Sequence, residues 1–388
     1  MQRRREFLQT SVMAVGAVAV GAEFWREALA ATVRPGRSPY GRLRAPDRYG
    51  LRLPRGFRSR LIARAGQRVR GTNFELPIFP DGQATYATRD GGWILVSNAE
   101  APATVGGGAQ AIRFGRRGGI KDAYRILGDT NFNCSGGATP WGTWLSCEEV
   151  DAGRVWECDP TGRRRAVARR AMGVFKHEAA AVDPRGRRVY LTEDLEDGGF
   201  YRFTPRRWPS LNRGLLEIAT VGDRGRVSWR EVPDPLAATV PTRLQVAGRT
   251  AFARGEGIWF DSGIVYVATT ADNRVHAYDT RSRRIEVIYD AAKLTDPPLF
   301  GVDQMTVSRS GDLFICEDNG SGELDLVMVT PRRRMSPFLT ATGPLHAPSE
   351  LTGVTFDPSG RRVYVSSQRY EGTGAIFEIA GPFRGARR

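Results

Sequence analysis

Three pairs of adjacent carboxylates end apolar runs: Glu148-Glu149, Glu193-Asp194 and Glu317-Asp318. Two of these pairs directly follow a cysteine, Cys147 or Cys316, and Glu100 ends a fourth run alone. Single acids, Glu178, Glu256, Asp303 and Glu350, open other apolar runs. Carboxylates crowded together away from water repel one another, and only protonation, arginine partners or bound cations relieve them. Oxygen donors of this kind suit hard ions such as Ca²⁺. A thiolate among them adds a softer position suited to a transition metal. No serine-nucleophile motif of the GxSxG type stands out.

Such a group needs elements that bring distant residues to one point. In an antiparallel hairpin, the first residue of one strand lies beside the last residue of the next. Glu178 begins a hairpin that Glu193-Asp194 ends, and Asp303 begins one that Glu317-Asp318 ends. The candidates for a single ring are therefore Glu100, Glu148, Glu149, Glu178, Glu193, Asp194, Glu256, Asp303, Glu317, Asp318 and Glu350. Side chains alternate along a strand, so only one member of each adjacent pair is expected to face a common axis.

The hairpins recur. His177 to Asp194 forms a strand, a turn at Asp183-Pro184-Arg185-Gly186 and a second strand, and related units open at Glu256, Asp303 and Glu350. Two earlier stretches, ending Asn98-Ala99-Glu100 and Cys147-Glu148-Glu149, keep only the later half clearly, for six units in all. An outer hairpin usually follows each, as in Val275–Asp279 and Ile285–Tyr289. Radial repetition of four-stranded units is the β-propeller solution to exposed sheet edges. The expected fold is all-β, a six-bladed β-propeller whose short last unit is closed by an N-terminal strand near Arg58–Ala63. In it the inner hairpin ends surround one mouth of the central channel.

The chain reads as a signal over 1–30, an extension over 31–56, the propeller over 57–383 and a basic tail over 384–388. Arg4-Arg5-Glu6-Phe7-Leu8 is a twin-arginine core, followed by a short apolar run and an Ala28-Leu29-Ala30 cleavage site. That run is shorter than the ~20 apolar residues of a membrane span, so cleavage leaves no stable anchor. The expectation is export by the twin-arginine machinery to a periplasmic or extracellular location. The net charge of +15 is almost wholly arginine, with lysine only at 121, 176 and 293. Runs such as Arg163-Arg164-Arg165 fall in turns and read as solvated hairpin decoration. No nucleic-acid-binding signature accompanies them.

The run Asn133-Cys134-Ser135-Gly136-Gly137-Ala138-Thr139-Pro140-Trp141-Gly142-Thr143-Trp144-Leu145-Ser146-Cys147-Glu148-Glu149 resembles the signature of the PhoX-type alkaline phosphatases and their DUF839 relatives. Phe175-Lys176-His177-Glu178, Arg254-Gly255-Glu256-Gly257 and Ile315-Cys316-Glu317-Asp318-Asn319-Gly320 are similar to further segments of that family. The resemblance implies hydrolysis of small phosphomonoesters by an iron and calcium centre. Carried onto this chain, it implies iron bound by Cys147, with iron and calcium held chiefly by Glu148, Glu149, Glu178, Glu193 and Glu256; the shared hairpin-end register adds Asp194, Glu317 and Glu350 as expected metal ligands. The resemblance also implies that Arg254 grips the phosphoryl oxygens, a task that suits the planar guanidinium fork. This chain is shorter than the true phosphatases and has Asn98-Ala99-Glu100 where Asn-His-Glu is common. Two other readings compete: a calcium-dependent lactonase or phosphotriesterase, which needs no cysteine, and a non-catalytic calcium-stabilised binding module.

Overall fold

Inner strands of small and polar residues with scattered apolar ones pair with second strands rich in β-branched and aromatic residues, and tight turns join them. The computed structural model describes residues 32–320 and 322–385. The expected twin-arginine signal and residues 386–388 of the tail lie outside these. Six separate sheets form, one per repeat unit, in a six-bladed β-propeller. Their inner pairs are Pro80–Ala87 with Trp93–Ala99 (blade 1) and Asn133–Ala138 with Trp144–Glu148 (blade 2). His177–Asp183 pairs with Arg188–Glu193 (blade 3), and Gly255–Asp261 with Ile264–Thr269 (blade 4). Val302–Val307 pairs with Leu313–Glu317 (blade 5), and Leu351–Phe356 with Arg362–Ser367 (blade 6).

Alternation along each strand sends side chains to the two neighbouring blades, so the core is divided among the interfaces. There are six buried apolar clusters, one between each adjacent pair of blades. Blade 3 carries a fifth strand, Val227–Glu231, within the long segment that separates the third and fourth units.

Blade 6 has only three strands of its own, and Arg58–Arg64 completes it by pairing antiparallel with Ala375–Ala380. The N-terminal extension is also structured. Arg34–Pro35 pairs parallel and Leu51–Arg52 antiparallel with Arg334–Ala341 of blade 5, making that sheet six-stranded. Phe57 fastens the junction: it is buried, with ring centroids 5.1 Å from Phe338 and 4.9 Å from Phe383. Replacing Phe57 with alanine removes this anchor at the seam. The expected loss is about 3–5 kcal/mol, the usual cost of truncating a buried aromatic, measured as a lower midpoint in equilibrium urea unfolding.

Candidate metal centre

Each inner hairpin begins with one residue pair, or two in blade 6, and is then interrupted by a bulge. The first pairs are Pro80 with Ala99, Asn133 with Glu148, His177 with Glu193, Gly255 with Thr269, Val302 with Glu317, and Leu351 with Ser367. In all six blades the register shifts within the next few residues. A bulge bends the strand and re-aims a side chain. The second residue of each inner strand forms the lower tier of the mouth: Asp81, Cys134, Glu178, Glu256, Asp303 and Thr352. Glycine follows the acid in blades 1 and 4 because adjacent inner strands meet there. A Cβ on Gly257 would stand 2.6 Å from the Asp303 carbonyl oxygen, and one on Gly82 would stand 2.7 Å from the Ser135 backbone.

Five of these six residues carry metal-ligating groups. Asp81, Glu100 and Cys134 place donor atoms within 4.8 Å of one another, as do Cys134, Glu149 and Glu178, and Glu178, Glu256 and Asp303. The three groups share members and form an arc over blades 1 to 5. Blade 6 breaks the arc with Thr352, whose hydroxyl donates to the Pro80 carbonyl. A second tier comes from residues just past the second strands: Glu100, Glu149, Asp194 and Asp318.

The balance of charge is strongly negative. Three cations face the acids. Lys176 bonds Glu149 at 3.0 Å and Asp194 at 3.1 Å, while Arg254 bonds Asp194 at 2.8 Å and Glu256 at 3.0 Å. Arg369 bonds Glu350 at 2.6 Å. Asp81 takes amide donors from Gln304 and Gln368, and Gln368 also reaches Glu100. Glu178 has neither kind of partner. It is fully buried, and both of its carboxylate oxygens lack a hydrogen bond. A buried carboxylate in that state needs a proton or a cation.

Burial, reinforced by neighbouring acids, pushes Glu178, Glu256 and Asp303 well above the ordinary carboxylate range. The same causes raise Glu100 to about 9 and Glu350 to about 8. Burial and Asp194 raise Glu149 to about 7. Asp194 is the exception, for its burial is outweighed by Arg254 and Lys176, which hold it below its usual value.

Several expected ligands sit elsewhere. Glu148 accepts from the Trp156 indole and the Asn131 amide. Glu193 accepts from the Gly199 amide and the Tyr201 hydroxyl and meets Arg243. Glu317 accepts from the amides of Phe300 and Asp325. All three face away from the axis and brace loops, while their successors Glu149, Asp194 and Asp318 belong to the tier. Glu350 is held by Arg369 outside the three donor groups.

Cys147 is the main correction. It lies inside a second strand and pairs with Val155, so alternation turns it into the apolar cluster between blades 2 and 3 beside Leu145 and Phe175. Burial pushes its thiol up. Cys134, one residue into the inner strand, takes the axial place. Cys316 is likewise buried between blades 5 and 6 and makes no disulfide. The three histidines are structural. His177 meets the Gly173 carbonyl, His276 meets Thr269, and His346 ties Ser367 to the Tyr49 carbonyl.

The family model for alkaline phosphatase PhoX matches residues 100–293, half of the sequence, from the second tier of blade 1 to the end of blade 4. The chain belongs to the PhoX family. Among solved structures, Pseudomonas fluorescens PhoX in complex with vanadate, a transition state analogue, superposes with a TM-score of 0.75 at 16% identity, covering 92% of this chain and 100% of that one. A structural genomics protein of unknown function from Bacteroides thetaiotaomicron superposes at 0.51 with 11% identity, covering 84% of this chain and 76% of that one. At these identities the superpositions establish the propeller alone. No curated protein matches the sequence.

Raised carboxyls make stability depend on pH in a defined direction. Between the unfolded carboxyl range, about 4.3 for Glu, and the folded values of about 7 to 9 for Glu149, Glu350 and Glu100, the folded ring keeps protons that the unfolded chain has released. Unfolding then releases protons, so stability falls as pH rises through that window. Protein stripped with a chelator is expected to lose thermal stability from pH 5 to pH 9. Added calcium should restore it most at the alkaline end, as read by melting temperature at each pH.

Proposed function

We propose that this PhoX-family chain is a metal-dependent phosphomonoester hydrolase working at the axial mouth. The observation that carries the reading is Glu178. Its two unpartnered oxygens lie where two donor groups meet, at the centre of an arc of acids with one thiol.

Asp81, Glu100, Cys134, Glu149, Glu178, Glu256 and Asp303 are the residues that would hold the cations. Their carboxylates are hard donors suited to calcium, and the Cys134 thiol is the softer donor that an iron position calls for. Metal ions bound here would polarise phosphoryl oxygens and stabilise charge on the entering and leaving oxygens. The chain's own cations orient the ester. Arg254 is held by Asp194 and Glu256 through Nε and Nη2, while Nη1 has no hydrogen-bond partner among the described residues. That clamp fixes the guanidinium plane and leaves an edge to donate to a phosphoryl oxygen. Lys176, tied to Glu149 and Asp194, adds positive charge on the same side.

The cysteine favours this reading over a calcium-only lactonase site, because a thiol adds nothing to a hard-ion cage. The twin-arginine sequence at Arg4-Arg5 supports an exported enzyme, and export of folded chains suits a cofactor loaded beforehand. Small phosphorylated compounds are the proposed substrates.

Two cysteine variants test the assignment against one control. Cys134→Ser is expected to lose iron and at least ~100-fold in kcat/KM for a chromogenic phosphomonoester, in the range that mutation of groups supporting a metal produces, while the fold and much of the calcium persist. Cys147→Ser is expected to keep its metals and lose stability through a hydroxyl placed in an apolar cluster. Elemental analysis beside circular dichroism separates the outcomes. Iron retained by Cys134→Ser would refute the thiol as a ligand.

Arg254→Lys keeps the charge but loses the fork. It is expected to raise KM for the same ester about tenfold, given the strength of bidentate contacts, and to leave metal content unchanged. An unaltered KM removes Arg254 from substrate binding.

A further inference from the structure

The residue immediately before each inner strand forms a third tier, above the acids. Its members are Phe79, Phe132, Lys176, Arg254, Gly301 and Glu350 in blades 1 to 6. The equivalence is set by hydrogen bonds. The carbonyls of these residues accept from the amides of Glu100, Glu149, Asp194, Thr270, Asp318 and Gln368, in that order, at 2.8–3.3 Å.

At four of these six positions the backbone favours glycine. Phe79, Phe132, Arg254 and Gly301 all have left-handed φ angles, 53°, 46°, 50° and 56°. Blade 5 supplies the glycine that this conformation favours, whereas blades 1 and 2 supply phenylalanine, a bulky residue that adopts it rarely. Residues held in such conformations concentrate at ligand sites. Core packing does not account for the two rings, since neither belongs to any of the six apolar clusters. Phe132 is 37% exposed, and Phe79 lies with the Arg369 guanidinium 5.9 Å from its centroid. Each ring stands two residues before a lower-tier donor, Asp81 or Cys134.

The rim is therefore divided. Blades 3 and 4 carry Lys176 and Arg254 at this tier, and blades 1 and 2 carry Phe79 and Phe132, with Phe79 in the blade opposite that of Arg254 and the Arg369 guanidinium beside its ring. A phosphoester whose phosphoryl oxygens meet the cationic half lays its organic part on the aromatic half. We infer that the mouth selects phosphomonoesters with an apolar or aromatic alcohol portion, and that Phe79 and Phe132 determine this specificity. The inference rests on the phosphatase reading and adds the class of alcohol.

Phenethyl phosphate and ethyl phosphate test it, because their leaving alkoxides are alike and only the ring differs. The metal-loaded wild type is expected to favour phenethyl phosphate in kcat/KM by about tenfold, as partial burial of a phenyl ring allows. In the double variant Phe79→Gly/Phe132→Gly this ratio is expected to fall toward one. The melting temperature should not fall, because glycine suits the left-handed backbone. A preserved ratio in the double variant overturns the inference, as does a wild type with no preference.

Calorimetric binding of phenethylphosphonate and ethylphosphonate, which cannot be hydrolysed, keeps the two proposals apart. If neither ester is turned over, the phosphatase reading fails. A phenethylphosphonate preference that the double variant loses still upholds the aromatic rim, and equal binding of the two phosphonates by the wild type rejects it.

Discussion

Crowding of like charges on the propeller axis is the constraint around which the rest of the molecule is organised. Asp81, Glu178, Glu256 and Asp303 are almost completely withdrawn from water, and Lys176, Arg254 and Arg369 are too few to balance them and the second tier. A chain that had only to fold would gain by placing apolar residues there, because buried like charges raise the energy of the folded state. The amide donors to Asp81 and the clamp on Arg254 relieve part of the repulsion. They leave Glu178 without a partner, so the cost is concentrated where a ligand can offset it.

The blades make this concentration possible by taking no part in it. Their apolar contacts lie between sheets, in six clusters that leave the axis to the strand ends. In blades 1 to 5 the bulge after the first residue pair turns a strand that would otherwise alternate between interfaces into one that delivers a side chain to the centre. Close approach of neighbouring inner strands, marked by Gly82 and Gly257, brings the delivered groups within reach of one another.

The repeat was legible because each unit carries its own turn and its own β-branched strand. The closing strand was legible because the last unit visibly lacked one. The axial site was legible only in part. Glu178 and Glu256 open their hairpins in plain view, and both reach the axis. Glu148, Glu193 and Glu317 stand one residue short of the tier, and alternation alone cannot say which member of an acidic pair faces inward when a bulge intervenes. The same uncertainty of one position separates Cys134 from Cys147, which flank a single hairpin. Asp81 was missed because the first strands of blades 1 and 2, Pro80–Ala87 and Asn133–Ala138, are both too poor in aliphatic residues to read as strands. The signal available was its place two residues after Phe79, matching Cys134 after Phe132.

The seam in blade 6 has a consequence for how the protein comes into being. Arg60 from the strand Arg58–Arg64 meets Glu378 from the last strand across 318 positions of sequence. Contacts so distant in sequence form late. On a ribosome the opening strand must wait, unpartnered, until nearly the whole polypeptide has been made. The donors of the arc come from five blades, whose mutual positions are settled only when the circle shuts. A chain cut short before residue 375 lacks the partner of the opening strand, and with it the closed circle that sets the donors of the arc beside one another.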